Sequence, residues 1–532
     1  MFWPTNLPTV SVLTSLHDRD NASKVDRKVK FFLYSFLAVF LYQIFPTMLM
    51  PTLTSVALLC FISKPGSTLS ILGSGYIGYG IGDLSFDWSA LSVLGPLYTP
   101  WDCQVNMLVG LIGMTWILSP ILYFSNFWNA KSFPSPLSTG LFNSKFEKFD
   151  VQAVLNPDLT LNIDSWNQQK PLLLTPHFSV FYSFSFAAFT STIIHVMLWY
   201  WQDIKTAMSS KRQEDIHNKL MEAYKPIPKS WYISTLIVTF ILSAIICSSS
   251  QIQLPVWALA LAILLSAVCL IPIGIIKAVS GISIGLNVFS ELIIGYIMPG
   301  KPIANVAFKC FAYNSLSQAI DLTEDAKLGF YIKCPPRDVF KAQYLGTFIG
   351  GLVNYVVLNS VINAKRPYLD GTLVDLSGQY TGRSPGIFFT SSIVWGLVSP
   401  ARFFTGRYSY LFIGFFVGIV VPFIPFLLYK RYPKPIWKYI NFPIIFSGAC
   451  TIPQYPSNII LGGAIAGYLS QVVARNRYPR WFSSKNYILS AALDAGTSVN
   501  ALFAYITLPY LIYIIPKNWF LNPSGDAEHC IS

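Results

Sequence analysis

Apolar runs long enough to cross a bilayer recur along nearly the whole chain. A spanning helix needs about 20 consecutive, mostly apolar residues. Runs of that kind lie near 105–123, 179–201, 231–250, 255–276, 281–298, 339–363, 408–428, 458–474 and 487–515. The run 31–62 is interrupted at Pro46 and Pro51 and reads either as one kinked helix or as a tight pair. Shorter or broken runs occupy 303–320, 386–404 and 440–456. The pattern predicts an all-α polytopic integral membrane protein of roughly eleven to thirteen transmembrane helices, several of them broken or re-entrant. The chain divides into a cytosolic N-terminal segment (1–30), a membrane domain (31–515) and a C-terminal tail (516–532).

Composition sharpens this. Of the 532 residues, 53% are hydrophobic and 11% charged, against about 25% charged in ordinary soluble domains. Mean hydropathy is +0.49. So few charges cannot cover so much apolar surface, which sets aside soluble enzymes, DNA-binding modules and disordered scaffolds. The net charge of +13 does not point to nucleic acid, because the basic residues cluster in short loops where the positive-inside bias puts them. Three clusters are placed in the cytosol: Lys205, Lys211, Arg212, Lys219, Lys225 and Lys229; Lys430, Arg431, Lys434 and Lys438; and Arg475, Arg477, Arg480 and Lys485. That placement requires the broken run 440–456 to cross fully. The sequon Asn21-Ala22-Ser23 precedes a basic run and is expected to face the cytosol unused.

The chemistry-bearing residues are sparse. Eight cysteines make no C-x-x-C pair and read as small buried hydrophobes, neither a disulfide frame nor a zinc site. His17, His177, His195, His217 and His529 show no metal-binding spacing, so no metal is expected. Gly281-Ile-Ser283-Ile-Gly285 matches a nucleophile elbow, but it opens a predicted span with no strand before it, so no enzyme is read from it. No phosphate-binding G-x-x-x-x-G-K-[ST] loop occurs, and no cofactor is expected. Four G-x-x-x-G spacings, at Gly281/Gly285, Gly346/Gly350, Gly414/Gly418 and Gly463/Gly467, predict close helix packing.

Intramembrane polar residues are the best handle on function. Ser283, Asn287 and Glu291 recur every four residues, as do Asn305, Lys309, Tyr313 and Ser317, and each set falls on one helix face. The break at Pro299-Gly300-Lys301-Pro302 between them can bring the two stripes together and pair Glu291 with Lys309. Gln343, Thr347 and Asn354 form a third face, and Asn486, Ser490, Asp494 and Ser498 a fourth. A charge at mid-bilayer costs at least ~2.5–3.5 kcal/mol, so it should face the bundle interior or a water-filled path. Glu291 and Asp494 are therefore read as groups that bind a proton or substrate, while neutral polar residues also serve ordinary inter-helix hydrogen bonding. The candidate pathway residues are Glu291, Asn287, Lys309, Tyr313, Gln343 and Asp494. Asp87 and Asp102 are read as interfacial loop residues. The breaks at Pro46–Pro51, 386–404 and 440–456 are candidate substrate segments, because unwound helices free backbone groups for ligands.

An ordered series of blocks resembles the oligopeptide transporter family. It includes Trp3-Pro4-x-Asn6-Leu7, Leu72-Gly-Ser-Gly75, Asp87-Trp88-Ser89, Thr99-Pro-Trp101, Glu291-Leu-Ile-Ile-Gly-Tyr296, Trp395-Gly-Leu-x-x-Pro-Ala-Arg402 and Asn486-Tyr-Ile-Leu-Ser-Ala-Ala-Leu-Asp494. Lys333-Cys334-Pro335-Pro336-Arg337 is similar to the K-I-P-P-R signature of the peptide-transporting clade, with cysteine in place of isoleucine. The resemblance implies a proton-coupled symporter of tetra- and pentapeptides. Its partners are then a small peptide, protons and the lipid bilayer, and its energy source a proton gradient. The expected site is the plasma membrane, with a vacuolar or other endomembrane left open. Lys333, Pro335, Pro336 and Arg337 are implied to sit at a loop–helix junction that governs gating. Two alternatives stay open: a glutathione or metal-chelate carrier of the same family, and a shortened, non-transporting product, since the family's spans ahead of the Trp3 block are expected to be missing.

Overall fold

The computed structural model describes residues 2–17, 22–62, 64, 66–209, 216–248, 251–373, 380, 382–511, 515, 519–523 and 527–530. Asn21 of the sequon, and Lys211 and Arg212 of the first basic cluster, lie outside the described residues. The fold is all-α. Its only named strands among the described residues, Val56–Ala57 and Asp83–Leu84, pair antiparallel with Ala57 opposite Asp83. Seven helices among the described residues are long and apolar enough to span a membrane: Val25–Leu49, Trp101–Phe124, Pro176–Ala207, Lys229–Cys247, Val256–Ser280, Pro336–Leu369 and Gly406–Arg431. Two shorter apolar helices, Asn287–Ile297 and Ser384–Val398, lie among them. The chain is thus an integral, multi-pass membrane protein.

Local sequence explains where these helices start and stop. Pro176 occupies the first turn of its helix, where a missing N–H costs nothing, and Thr175 accepts from the Phe178 amide as its cap. The Val256–Ser280 helix ends at Gly281, whose φ of 78° is the left-handed value that glycine adopts without strain. The apolar core follows the interior helices. One cluster joins the Pro176–Met208, Val256–Ser280 and Pro302–Ile332 helices. A second, richer in aromatics, joins the folded 141–174 segment to Trp395, Phe403 and Tyr408.

Several sequence expectations are corrected. The run 281–298 is not one span: residues 281–286 are unwound, and the helix that follows, Asn287–Ile297, has 11 residues. The run 303–320 is instead the first part of the 31-residue helix Pro302–Ile332. The run 440–456 does not cross as a single helix, because only Phe442–Ala449 is helical before an irregular turn. Of the glycine pairs, Gly414/Gly418 and Gly463/Gly467 do pack closely. An added Cβ at Gly414 would lie 2.0 Å from the Ser183 carbonyl, and one at Gly463 2.6 Å from Leu94. Gly346 and Gly350 face open space, and Gly281 and Gly285 are not on a helix at all. Finally, Cys60 and Cys530 form a disulfide across 470 residues of sequence, a pairing that no local spacing could announce. It draws residues 527–530 into the membrane domain, where Glu528 and Cys530 are buried.

Candidate functional site

The site begins at two consecutive breaks in the chain. Gly281 ends one helix, residues 282–285 run without helical hydrogen bonds, and Leu286 precedes the half-helix Asn287–Ile297. That half-helix stops at Met298, and the turn to Pro302 passes through Gly300 at φ 80°. Pro302 then opens the long helix that carries Lys309. Glycine at Gly295 and Gly396 lets a third element, residues 392–398, pack directly on this turn. A Cβ at Gly295 would meet the Trp395 carbonyl at 2.4 Å, and one at Gly396 would meet Pro302 Cα at 2.6 Å. Two hydrogen bonds fix the contact: Gly300 N–H to the Gly396 carbonyl at 3.0 Å, and Ser399 Oγ to the Gly295 carbonyl at 3.1 Å.

This geometry brings the two predicted polar stripes together. Lys309 Nζ lies 2.7 Å from Glu291 Oε1, and the side chains are 5% and 1% exposed. Buried charges are tolerated when paired and hydrogen-bonded, and this pair has further partners. Lys309 Nζ also donates to Ser391 Oγ at 3.2 Å and sits 4.0 Å over the Phe388 ring. Asn305 Nδ2 donates to the Glu291 carbonyl at 3.1 Å.

Lys309 lines two adjoining spaces, and Glu291 faces the smaller of them. The larger, about 570 Å³, is lined by Lys277, Ser283, Asn287, Lys309, Tyr313 and Gln454, among others. The smaller, about 110 Å³, reaches Glu291, Lys309 and Ser391. The larger volume falls within the ~300–1,000 Å³ typical of small-ligand sites. Its lining mixes polar side chains with the free backbone of 281–285. Asn287 Oδ1 is buried with no hydrogen-bond partner among the described residues. Among those residues no three His, Cys, Asp or Glu side chains come together to hold a metal ion.

Of the candidate residues, the structure gathers Glu291, Asn287, Lys309 and Tyr313, and leaves Gln343 and Asp494 elsewhere. Gln343 donates to the Leu322 carbonyl at 3.1 Å and to Asp325 at 3.4 Å, in a groove between the Pro302–Ile332 and Pro336–Leu369 helices. Asp494 accepts from Trp88 Nε1 at 2.7 Å and ties its helix to the short helix Trp88–Leu91. The signature residues make the corner of a helical hairpin. Lys333 is the left-handed cap of one helix at φ 63°, Pro335 and Pro336 begin the next, and Arg337 Nε donates to the Pro226 carbonyl at 3.0 Å. Sequence reasoning missed Lys277, Gln454 and the unwound backbone. Lys277 had a signal, as a charge near the end of a very apolar helix; its Nζ lies 3.9 Å from Glu324.

Comparison with known proteins agrees with this architecture. The model of the family described as "OPT oligopeptide transporter protein" matches residues 1–508. Oligopeptide transporter 2 of Arabidopsis thaliana is 36% identical over 96% of this chain and 70% of its own length. Oligopeptide transporter 1 of the same plant is 34% identical over 100% of this chain and 72% of its own. The sexual differentiation process protein isp4 of Schizosaccharomyces pombe is 31% identical over 98% and 67%.

Proposed function

The chain belongs to the oligopeptide transporter family, and from that premise we propose that it carries tetra- and pentapeptides across a membrane by proton-coupled symport. The observation that carries this reading is the buried Glu291–Lys309 pair, whose lysine lines a cavity walled in part by unwound backbone. In the ion pair, each charge satisfies the other. A peptide entering the cavity brings an ammonium and a carboxylate, which compete for Glu291 and Lys309 respectively. Once Lys309 turns to the peptide carboxylate, Glu291 is left buried without its cation, and neutralising it with a proton or with the peptide amine removes the penalty. Peptide binding and proton uptake then favour each other, as linkage requires.

The unwound segment, whose Ser283, Ile284 and Gly285 backbone groups make no helical hydrogen bonds, binds the peptide backbone, and Asn287 Oδ1 accepts one further hydrogen bond. The membrane potential can supply driving force, because each charge moved down it releases ~2.3 kcal/mol per 100 mV. The test is uptake of a labelled tetrapeptide into peptide-transport-deficient cells, with surface expression measured in parallel. Uptake should rise at acid pH and collapse with a protonophore. Glu291→Gln should abolish the pH dependence; an unaltered pH profile in that variant would remove Glu291 from the mechanism.

A further inference from the structure

A second group of buried acids lies outside this cavity. Ser55 stands between the turn Pro51–Thr54 and the strand Val56–Ala57, and Asp83 opens the paired strand. Glu528 reaches them from the far end of the chain, held by the Cys60–Cys530 disulfide. The exposures of Ser55, Asp83 and Glu528 are 0%, 1% and 1%. Glu528 accepts hydrogen bonds from the Gly75 amide at 2.8 Å, the Tyr76 amide at 3.0 Å, and the hydroxyls of Ser74 and Ser55. Such a seat of amides and hydroxyls stabilises the charged form of a carboxylate. Asp83 has no comparable seat. Its Oδ2 lies 2.7 Å from Ser55 Oγ, and its Oδ1 makes no hydrogen bond among the described residues.

The Ser55 hydroxyl lies against both carboxyls, yet it carries a single hydrogen. It donates to one of them, so the other contact is a hydrogen bond only if that carboxyl is protonated and donates to Ser55 Oγ. Glu528, with three other donors, is the anion; Asp83 is the acid. We propose that Asp83, Ser55 and Glu528 form a proton-binding site separate from Glu291, in which one proton is held between two buried carboxyls through the Ser55 hydroxyl.

The surroundings fit this assignment. Burial, the largest influence, pushes the Asp83 carboxyl up to about 7, even where the Ser55 hydroxyl donates to it and, with the Leu84 amide, favours the charged form. Among the described residues no lysine or arginine forms an ion pair with Asp83. The facing titratable groups are Tyr76, bonded to Thr54 Oγ1 at 2.7 Å, and Asp87, which accepts from Gln43 and the Ser89 amide. His529 stacks on Phe520 and lies against Phe61. The helices Leu58–Ile62 and Ile459–Gly467, which pack on the Asp83 strand, add only the disulfide-bonded Cys60.

This site also touches the cavity wall. The Gly75 carbonyl accepts from the Ser457 amide at 2.8 Å, and Asn458 Nδ2 donates to the Thr54 carbonyl at 2.9 Å. Ser457 and Asn458 end the turn whose other residues, Thr451, Gln454 and Tyr455, line the cavity. Loss of the proton leaves two carboxylates side by side, and their repulsion strains the Gly75 loop and the turn it holds. The coupling to transport rests on the symport reading above; the proton site itself does not.

Infrared difference spectroscopy of the full-length protein, titrated from the acid to the alkaline side of neutrality, tests it through the C=O stretch of a protonated carboxyl. A band that titrates near neutrality is expected. It should be missing in Asp83→Asn, and its midpoint should move to lower pH in Glu528→Gln, where the neighbouring charge is gone. Ser55→Ala keeps both acids and should also move the midpoint, so the question remains decidable if Asp83→Asn does not fold. A band that survives Asp83→Asn, or a midpoint unmoved in both Glu528→Gln and Ser55→Ala, overturns the proposal. A band that behaves as expected beside pH-indifferent uptake refutes the symport reading and leaves this site standing. Proton-driven uptake without an Asp83 band does the reverse.

Discussion

Glu291 and Asp83 are each 1% exposed, and they bear burial in opposite ways. Glu291 has a cation 2.7 Å away on the next helix, in a wall that also supplies a hydroxyl and an aromatic ring. Asp83 has a second acid, bridged by one hydroxyl. The first arrangement holds charge and is broken by removing a partner. The second holds a proton and is broken by raising the pH. In a protein with so few charges, the nature of the nearest partner decides whether a buried carboxyl is an ion or an acid.

The largest effect should come from taking the cation away from Glu291. Lys309→Met leaves a buried carboxylate unpaired, a change that typically destabilises by about 3–5 kcal/mol, and uptake should be lost with it. Thermal unfolding of the purified variant measures this. The double variant Glu291→Gln/Lys309→Met should recover much of the lost stability, because the stranded charge is gone. If the double variant were no more stable than Lys309→Met, the pair would not be the unit described here.

Next in size is the pH dependence at Asp83. Its carboxyl is raised from 3.8 to about 7, so between those values the folded protein holds a proton that the unfolded chain has released. Its contribution to stability is complete below the ordinary carboxyl range and is lost as pH rises through about 7. Melting temperature should therefore fall across that interval, and Asp83→Asn should flatten the slope.

A smaller effect is expected at Asp494, whose carboxylate accepts from Trp88 Nε1. Asp494→Asn weakens one charge-assisted hydrogen bond, worth ~1–2 kcal/mol, and should leave the pH profile of uptake in place. A collapse of that profile would instead put Asp494 on the proton path. Smallest of all, Gln343→Ala in the outer groove should shift stability by no more than about 0.5 kcal/mol and leave peptide affinity unchanged in a binding assay.

Legibility in the sequence followed the range of each interaction. The long spans were readable because apolar length is local information: 105–123 falls inside the Trp101–Phe124 helix, and 255–276 starts one residue ahead of the Val256–Ser280 helix. The Glu291–Lys309 pair was readable because only 18 residues separate its members and a proline–glycine turn lies between them. The 281–286 break was misread, since its apolar composition hides the absence of helical hydrogen bonds, and Gly281 and Gly285 looked like packing glycines. Gln343 and Asp494 share the period-four pattern of Glu291, and periodicity says which residues share a face but not what that face meets.

By itself, the sequence determined that this is a helical membrane protein, where its long apolar spans lie, and which two charges meet across the Pro299–Pro302 turn. Each of these follows from composition or from contacts within one turn and its flanking helices. Only the tertiary structure decided that Gln454 and Lys277 share a cavity with Asn287, and that Glu528 lies beside Ser55, 473 residues away. Contacts of that span carry no local signature, because they depend on how whole helices pack and on a disulfide that joins the two ends of the chain.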